Sequence, residues 1–354
     1  MTTLEIRTVF DQAYDAIGNR VTLLRQSGQS RLPGETALAD ELGISRETVR
    51  RVLARYAEER VVVSQKGRGT FILPRQAKTF TVLYDSHLDL FHPWLSATMR
   101  VAAQESRTLG CRMNWQAAPE WGDEQLVERL IGEVRNLSTD GYVAALPLHH
   151  ADCRRVLAAH VPLVMLDVNY GSDDVPAVLV RHEQAGRLIG THLAGKGHRR
   201  TALITGPMGD ETIRKAQAVL AGLQAELGAR VPRTGLTHIV TDRSYEQARA
   251  ALQTLLALPE PPDAIVTTDD ESATAAVAVL RKLGRDGRRS PQVMSYVNAR
   301  DNLAELIPWT IVQSPPVEVM GRDVVRMLHQ MMAGETLAQR VVWHSPALVV
   351  REEA

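Results

Sequence analysis

The sequence is poor in cysteine: Cys111 and Cys153 are the only two in 354 residues, and they lie far apart. That excludes a disulfide framework and a CxxC metal site, and it suits a reducing compartment. No apolar run approaches the roughly 18 residues that a membrane-crossing helix needs. The N-terminus lacks the basic start and apolar stretch of a secretory signal, so a cytoplasmic protein is expected. Catalytic signatures are missing as well. There is no GxSxG elbow, no HExxH and no complete P-loop. Gly195-Lys196-Gly197-His198 lacks the other phosphate-loop residues and reads as the end of a helix. His149-His150 reads as a solvated loop pair rather than a metal site. No nucleophile–base pair can be assembled, so the expectation is a protein without catalytic residue, metal or cofactor.

What is present is unevenly distributed. The 41 basic and 41 acidic residues cancel overall, yet residues 1–75 hold 12 Lys+Arg against 9 Asp+Glu, an excess of 12 − 9 = +3. Within 46–75 the count is 8 against 3, or 8 − 3 = +5. A basic cluster confined to one short segment suggests a polyanion partner for that segment, a solvated charged face being the plain alternative.

The hydrophobic pattern changes near residue 75. Val9, Ala13, Ala16, Ile17, Val21 and Leu24 recur at helical spacing over 7–27. A second helix is expected over 35–42, broken by Gly43. A third starts from Ser45 as N-cap and runs to about Arg60, with Val49, Val52, Leu53 and Tyr56 inward. Val61-Val62-Val63, the turn Lys66-Gly67-Arg68-Gly69 and Thr70–Leu73 form a hairpin. Pro74–Lys78 is polar and reads as a linker. Beyond it, apolar runs at 81–84, 141–146, 163–166, 178–180, 201–205, 265–267, 292–296 and 348–350 alternate with helical segments at 94–109, 182–194, 213–227, 244–257, 271–284 and 317–332. This alternation predicts mostly parallel sheets covered by helices, and about 275 residues call for two α/β lobes.

Two helices flanking Gly43-Ile44-Ser45 have helix-turn-helix proportions. In the second, Arg46 and Arg50 lie one turn apart opposite the apolar face. There they can meet guanine edges in the major groove, while Ser45 and Thr48 suit phosphate oxygens. The basic, glycine-rich tip at Lys66, Gly67, Arg68 and Gly69 lets backbone amides approach phosphate. Over 32–73, the LP-x-E start, the LA-x-ELG-x-S-R-x-TVR core and the wing GRGTF resemble the winged-helix domain of GntR-family regulators. The resemblance implies DNA contacts at Ser45, Arg46, Thr48, Arg50, Lys66 and Gly67. The chain departs from the family by carrying Thr36 where an arginine usually follows the glutamate, which should alter affinity or operator choice.

Acidic residues end two strands: Asp167 after LVML, and Asp269-Asp270 after AIVTT. Strand ends of this kind are where α/β sheets bind ligands, although Asp269 and Asp270 could equally cap the next helix. The segments VPLVMLDVNY…RHEQAGRLIGTHLAGKGHRRTALITGP, PDAIVTTDDESATAAVAVLRKLG and TIVQSPPVEVMGRDVVRMLHQMMAGE resemble the effector-binding core of LacI-type repressors. That resemblance covers nearly all of 79–350. It implies a periplasmic-binding-protein-like fold of two lobes, three crossovers and a cleft, with His92, Trp94, Asp167, Arg214, Tyr245, Asp269 and Asn298 lining the cleft; Lys215 is the neighbouring register for Arg214. Ser295-Tyr296-Val297-Asn298 departs from the usual Gly-Phe/Tyr-Asp, because Val297 cannot accept a hydrogen bond from a sugar hydroxyl.

The expected architecture is therefore α/β: a winged helix-turn-helix over 1–75, then a two-lobed effector-binding and dimerising domain over 76–354. The expected function is transcription regulation by a homodimer on double-stranded operator DNA. A sugar-like small molecule would control it, and no membrane would be involved. The competing expectation is constitutive DNA binding, with the larger domain serving only to dimerise.

Overall fold

The computed structural model describes residues 8–26, 29–59, 61–73, 77–85, 93–118, 125–146, 148–206, 215–227, 235–242, 244–285, 290–298 and 307–351. The anticipated linker lies partly outside these residues, at 74–76.

The head contains α1 (Val9–Gln26), α2 (Glu35–Leu42), α3 (Arg46–Glu58) and the hairpin β1 (Val62–Gln65) and β2 (Gly69–Ile72). α2 stops at Gly43, which is left-handed at φ 66° and turns its N–H back to Ala39. α3 starts at the anticipated cap: Ser45 is extended, and its hydroxyl accepts the Thr48 N–H at 3.0 Å. Such a cap contributes about 1 kcal/mol. Ile17, Val21, Leu38, Val49, Val52, Leu53 and Tyr56 fill one apolar cluster. Each contributes roughly 1.5–3 kcal/mol through burial. The hairpin gains a third partner that the sequence pattern does not announce. Arg31 bridges Phe71 antiparallel, with Leu32 N–H donating to Thr70 O and Ile72 N–H to Ser30 O.

The body has two lobes. The N-lobe holds β3 (Thr79–Asp85), α4 (Pro93–Thr108), β4 (Arg112–Ala118), α5 (Leu126–Arg135), β5 (Tyr142–Ala145), α6 (His150–Ala158), β6 (Leu163–Leu166) and β7 (Ala177–Val180). The chain then builds the C-lobe: α7 (His182–Gly195), β8 (Thr201–Thr205), α8 (Lys215–Leu227), β9 (Leu236–Val240), α9 (Tyr245–Leu256), β10 (Ala264–Thr267), α10 (Asp270–Arg285), β11 (Gln292–Val297) and β12 (Ile311–Gln313). It returns to the N-lobe for α11 (Val317–Met332) and β13 (Val341–His344), and ends in the C-lobe with β14 (Ala347–Val349). The sheet orders are β13-β7-β6-β5-β3-β4 and β14-β12-β11-β10-β8-β9. Every pairing is parallel except β12 with β14. Three crossings, near 181, 314–316 and 345–346, join the C-terminal ends of the two sets of parallel strands.

The central strands are continuous apolar runs buried on both faces, which is why they were legible. The strands β4, β9 and β12 were not anticipated. β4 and β9 are edge strands without a continuous buried apolar run, exposing even Trp115 and Val240, and β12 has only three residues. α5 and α6 were also missed, and α6 corrects the reading of His149-His150: they cap and begin a helix, and His150 Nε2 lies 2.8 Å from Asp174. In the C-lobe, α7 and α8 touch backbone to backbone. A Cβ added at Gly186 would sit 2.0 Å from Val219 O, and one at Gly222 would sit 2.1 Å from Glu183 O.

Candidate DNA-binding surface and effector cleft

The head presents its cations outward. Arg46 and Arg50 project from the first turns of α3, with side chains 60% and 58% exposed. They share the Oε2 of Glu35, at the start of α2, which lies 3.8 Å from Arg46 Nη2 and 3.4 Å from Arg50 Nη2, and Arg50 also pairs with Glu47 at 3.4 Å. Exposed pairs of this kind contribute well under about 1 kcal/mol, so the arginines can exchange partners readily. Ser45 and Thr48 bond each other through their hydroxyls at 2.8 Å, and so act first as the cap of α3. Thr36 is exposed beside Glu35. Lys66, Gly67, Arg68 and Gly69 form the exposed wing tip, where Gly67 (φ 76°) and Gly69 (φ 106°) occupy backbone that L side chains resist. The Arg31 guanidinium lies over Gly69, within 3.3 Å of where a Cβ would stand, and adds a cation to the wing. Glu35 and Arg31 are the residues that sequence reasoning missed here; the glutamate of the LP-x-E start was the available signal.

Between the lobes, the anticipated residues fall into different situations. Trp94 opens α4, on the side of the N-lobe where β3 ends. It is partly buried, and its Nε1 is buried without a hydrogen-bond partner. One turn on, Thr98 Oγ1 is likewise unpartnered. Asp269 follows β10 and caps α10, its Oδ1 accepting the Ser272 N–H at 2.8 Å, whereas its Oδ2 is buried with no partner. An unmet buried polar group costs about 1–3 kcal/mol; Thr98 is fully buried where α4 packs against Gly321 of α11, and neither Trp94 nor Asp269 lines the cavity described below. Asp270 is engaged, its Oδ1 accepting the Asn298 N–H at 2.9 Å, and burial pushes its carboxyl up to about 6 despite that bond and nearby Lys215. Tyr245 begins α9 and packs against the apolar cluster of the C-lobe. Val297 belongs to the same cluster, together with Ile307 and Trp309. His92 and Arg214 lie outside the described residues.

Asp167 is already occupied. Its carboxylate accepts the Val180 N–H at 3.1 Å and lies 3.1–3.2 Å from His182 Nε2. His182 Nδ1 is in turn 2.8 Å from the hydroxyl of Tyr296, whose burial keeps it protonated. This chain runs from the N-lobe strand β6 through the first crossing to β11 of the C-lobe. Lys215 Nζ sits 4.6 Å above the Tyr296 ring. Beside the chain is a cavity of about 350 Å³ between the lobes, lined by Asp167, Arg181, His182, Gln184, Lys215 and Trp343 among others. Arg181 stacks on Trp343 at 5.0 Å. His182 and Tyr296 were not singled out from sequence: His182 opens α7 two residues after β7, and Tyr296 lies inside β11. Among the described residues, no group of His, Cys, Asp and Glu could hold a metal ion, and no helix is long and apolar enough to cross a membrane.

An arginine-bearing winged helix joined to a hinged two-lobed body defines a DNA-binding transcription regulator with an effector-type domain. Comparison with known proteins is specific on both parts. Residues 10–72 match the gntR family of bacterial regulatory proteins, and residues 191–352 match the periplasmic binding protein-like domain. The chain thus joins a GntR-type helix-turn-helix domain to a periplasmic-binding-protein-like domain, and it is homologous to sugar-responsive regulators of the LacI and GntR types. It is 24% identical over 339 residues to the arabinose metabolism transcriptional repressor of Geobacillus stearothermophilus, covering 91% of this chain and 90% of that repressor. It is 31% identical over 239 residues to the transcriptional regulator CelR of Thermobifida fusca, covering 64% and 66%. A solved complex of CelR with cellobiose matches with a TM-score of 0.62 at 24% identity, over 98% of this chain and 100% of that one. These relatives are transcription regulators, not enzymes.

Proposed function

We propose that this protein is a cytoplasmic, homodimeric repressor that releases its operator when a sugar-like metabolite enters the interlobe cleft. The observation that carries the reading is a pair of unmet buried polar atoms, the Trp94 Nε1 donor on the N-lobe and the Asp269 Oδ2 acceptor on the C-lobe. A polyhydroxylated ligand offers both an acceptor and a donor, and an indole face suits the apolar side of a sugar ring. A ligand that touches both lobes favours the closed state by its difference in affinity for the two states, typically about 1–3 kcal/mol. Similar proteins carry sugars in their names, arabinose and cellobiose in those above and ribose in the ribose operon repressor of Escherichia coli, so simple sugars come first among the probes. The division of labour follows the anticipated boundary: residues 1–75 read DNA, and 76–354 bind the effector and dimerise. Catalysis has no part in this reading.

The test is a thermal-shift screen of sugars, sugar acids and polyols, followed by operator titrations. A ligand at 100 times its dissociation constant should stabilise the protein by about 2.7 kcal/mol. Asp269→Ala should weaken that ligand at least ten-fold and remove its effect on DNA, while operator binding without ligand survives. An unchanged response in Asp269→Ala would remove the residue from the site. No hit in a broad library would leave the constitutive DNA-binding reading.

A further inference from the structure

Head and body meet directly at the end of α5, close to where the chain enters β3, since Asp140 Oδ2 accepts the Thr79 N–H at 2.7 Å, and the contact carries an unusual backbone. α5 ends in a tight turn in which Leu137 N–H donates to Val134 O and Ser138 N–H to Glu133 O. The residue between the helix and the outgoing chain in such a turn is left-handed, and glycine is the usual occupant. Glycine holds this position after α2 (Gly43), α4 (Gly110), α7 (Gly197) and α11 (Gly334), all at positive φ, whereas after α6 it is His160, at φ 60°. After α5 the position is Leu137, at φ 67°, where an L side chain is strained. The turn is further held by Asn136, whose Oδ1 accepts both the N–H and the hydroxyl of Ser138.

The strained side chain has a destination. Leu137 packs against the apolar cluster of the head, which includes Ala13, Ile17 and Val21 of α1 and Tyr56 of α3. The facing helix makes room for it. A Cβ at Gly18 would come within 3.1 Å of Arg135 O and 3.4 Å of Asn136 Cα, so α1 lies almost on the backbone of this turn. α5 itself is anchored in the N-lobe core by Val127, Leu130 and Ile131. A local strain that persists where glycine would remove it points to a use for the side chain.

We propose that Leu137 is a clamp that fixes the winged-helix head to the N-lobe, so that each head turns with its N-lobe and lobe closure is passed to DNA through this contact and not through the linker alone. The transmission part rests on the effector reading above; the clamp itself does not.

The experiment uses the full chain and the variant Leu137→Gly, which relieves the backbone and deletes the knob, with Leu137→Met as the conservative control. Trypsin is applied under native conditions and cleavage after Arg75, between head and body, is followed by mass spectrometry. Leu137→Gly should be cut there at least ten times faster than wild type, with unchanged far-ultraviolet circular dichroism and melting temperature, while Leu137→Met stays within two-fold. Equal cleavage rates for Leu137→Gly and wild type would overturn the clamp. Operator duplexes recovered by selection from a random pool are then titrated with L-arabinose, D-ribose and cellobiose present in turn. Where one of these weakens operator binding of wild type, it should bind Leu137→Gly within two-fold and change its operator affinity less than two-fold. A wild-type-sized response in Leu137→Gly would overturn transmission through Leu137. Because cleavage needs no sugar, a failed effector reading and a failed clamp give different results.

Discussion

The two working surfaces of this molecule are built on opposite principles. The head carries exposed cations on convex elements, each weakly paired and free to exchange its partner for phosphate or a base edge. The body carries buried polar groups at the facing ends of two sheets, some linked across the lobes and some left without a partner. A convex cationic surface gains affinity by displacing counterions and loses little stability if a residue is changed. A buried polar seam contributes to stability and to ligand recognition at once, so a change there registers in both.

That contrast sets the order of expected effects. The largest belongs to the buried chain. His182→Ala leaves the Asp167 carboxylate and the Tyr296 hydroxyl each short of a partner, and should lower body stability by roughly 3 kcal/mol in denaturant unfolding, with the head unaffected. If the loss were under about 0.5 kcal/mol, the chain would not hold the lobes. Asp270 supplies an effect of similar size through pH. Its folded-state carboxyl is raised to about 6 from 3.8, so the folded state binds the proton more tightly than the unfolded chain. The burial penalty is absent below about pH 4, grows as pH rises through the interval, and is complete above about pH 6. At about 1.4 kcal/mol per unit, stability of the wild type should fall relative to Asp270→Asn by roughly 3 kcal/mol between about pH 4 and 7. Parallel pH profiles for the two proteins would show that burial of Asp270 is harmless.

Smaller effects belong to the head. Arg46→Ala should weaken the operator by roughly 1–3 kcal/mol and relax base choice, with stability unchanged within about 0.5 kcal/mol. A variant that bound as tightly as wild type would mean that α3 is not the reading helix. Smallest is Glu35→Gln, which frees both arginines from their shared carboxylate and should tighten binding to unrelated DNA by well under about 1 kcal/mol at low salt; the gain should vanish as salt rises. If non-specific affinity fell instead, Glu35 would be needed to aim the arginines.

The same contrast decides how much could be read from sequence. The helix-turn-helix was legible almost residue by residue, because Ser45 caps α3 and the apolar spacing of Val49, Val52, Leu53 and Tyr56 leaves only one face for Arg46 and Arg50. The doubly wound body was legible where strands are buried on both faces and at least four residues long, and illegible at β4 and β9, whose exposed edges dilute the apolar signal, and at β12, which is only three residues long. The cleft was harder still. Asp167 was singled out because it ends a strand, but its partner His182 is brought to it by a crossing between lobes, and no local pattern encodes that meeting. Asp269 could be assigned neither to capping nor to ligand from sequence; the fold shows the cap, made by Oδ1 alone.

The backbone contact between α7 and α8 has a practical consequence for anyone reshaping the cavity beside the Asp167–His182–Tyr296 chain. With no side chain between Gly186 and Val219 O, or between Gly222 and Glu183 O, the two helices form a single plate. Arg181 and His182 at one corner and Lys215 at the other therefore keep a fixed spacing along the wall of the cavity. A designer can exchange the side chains at those corners but cannot slide one helix along the other to widen the pocket. New specificity must be written in residue identity, on a frame whose dimensions are already set.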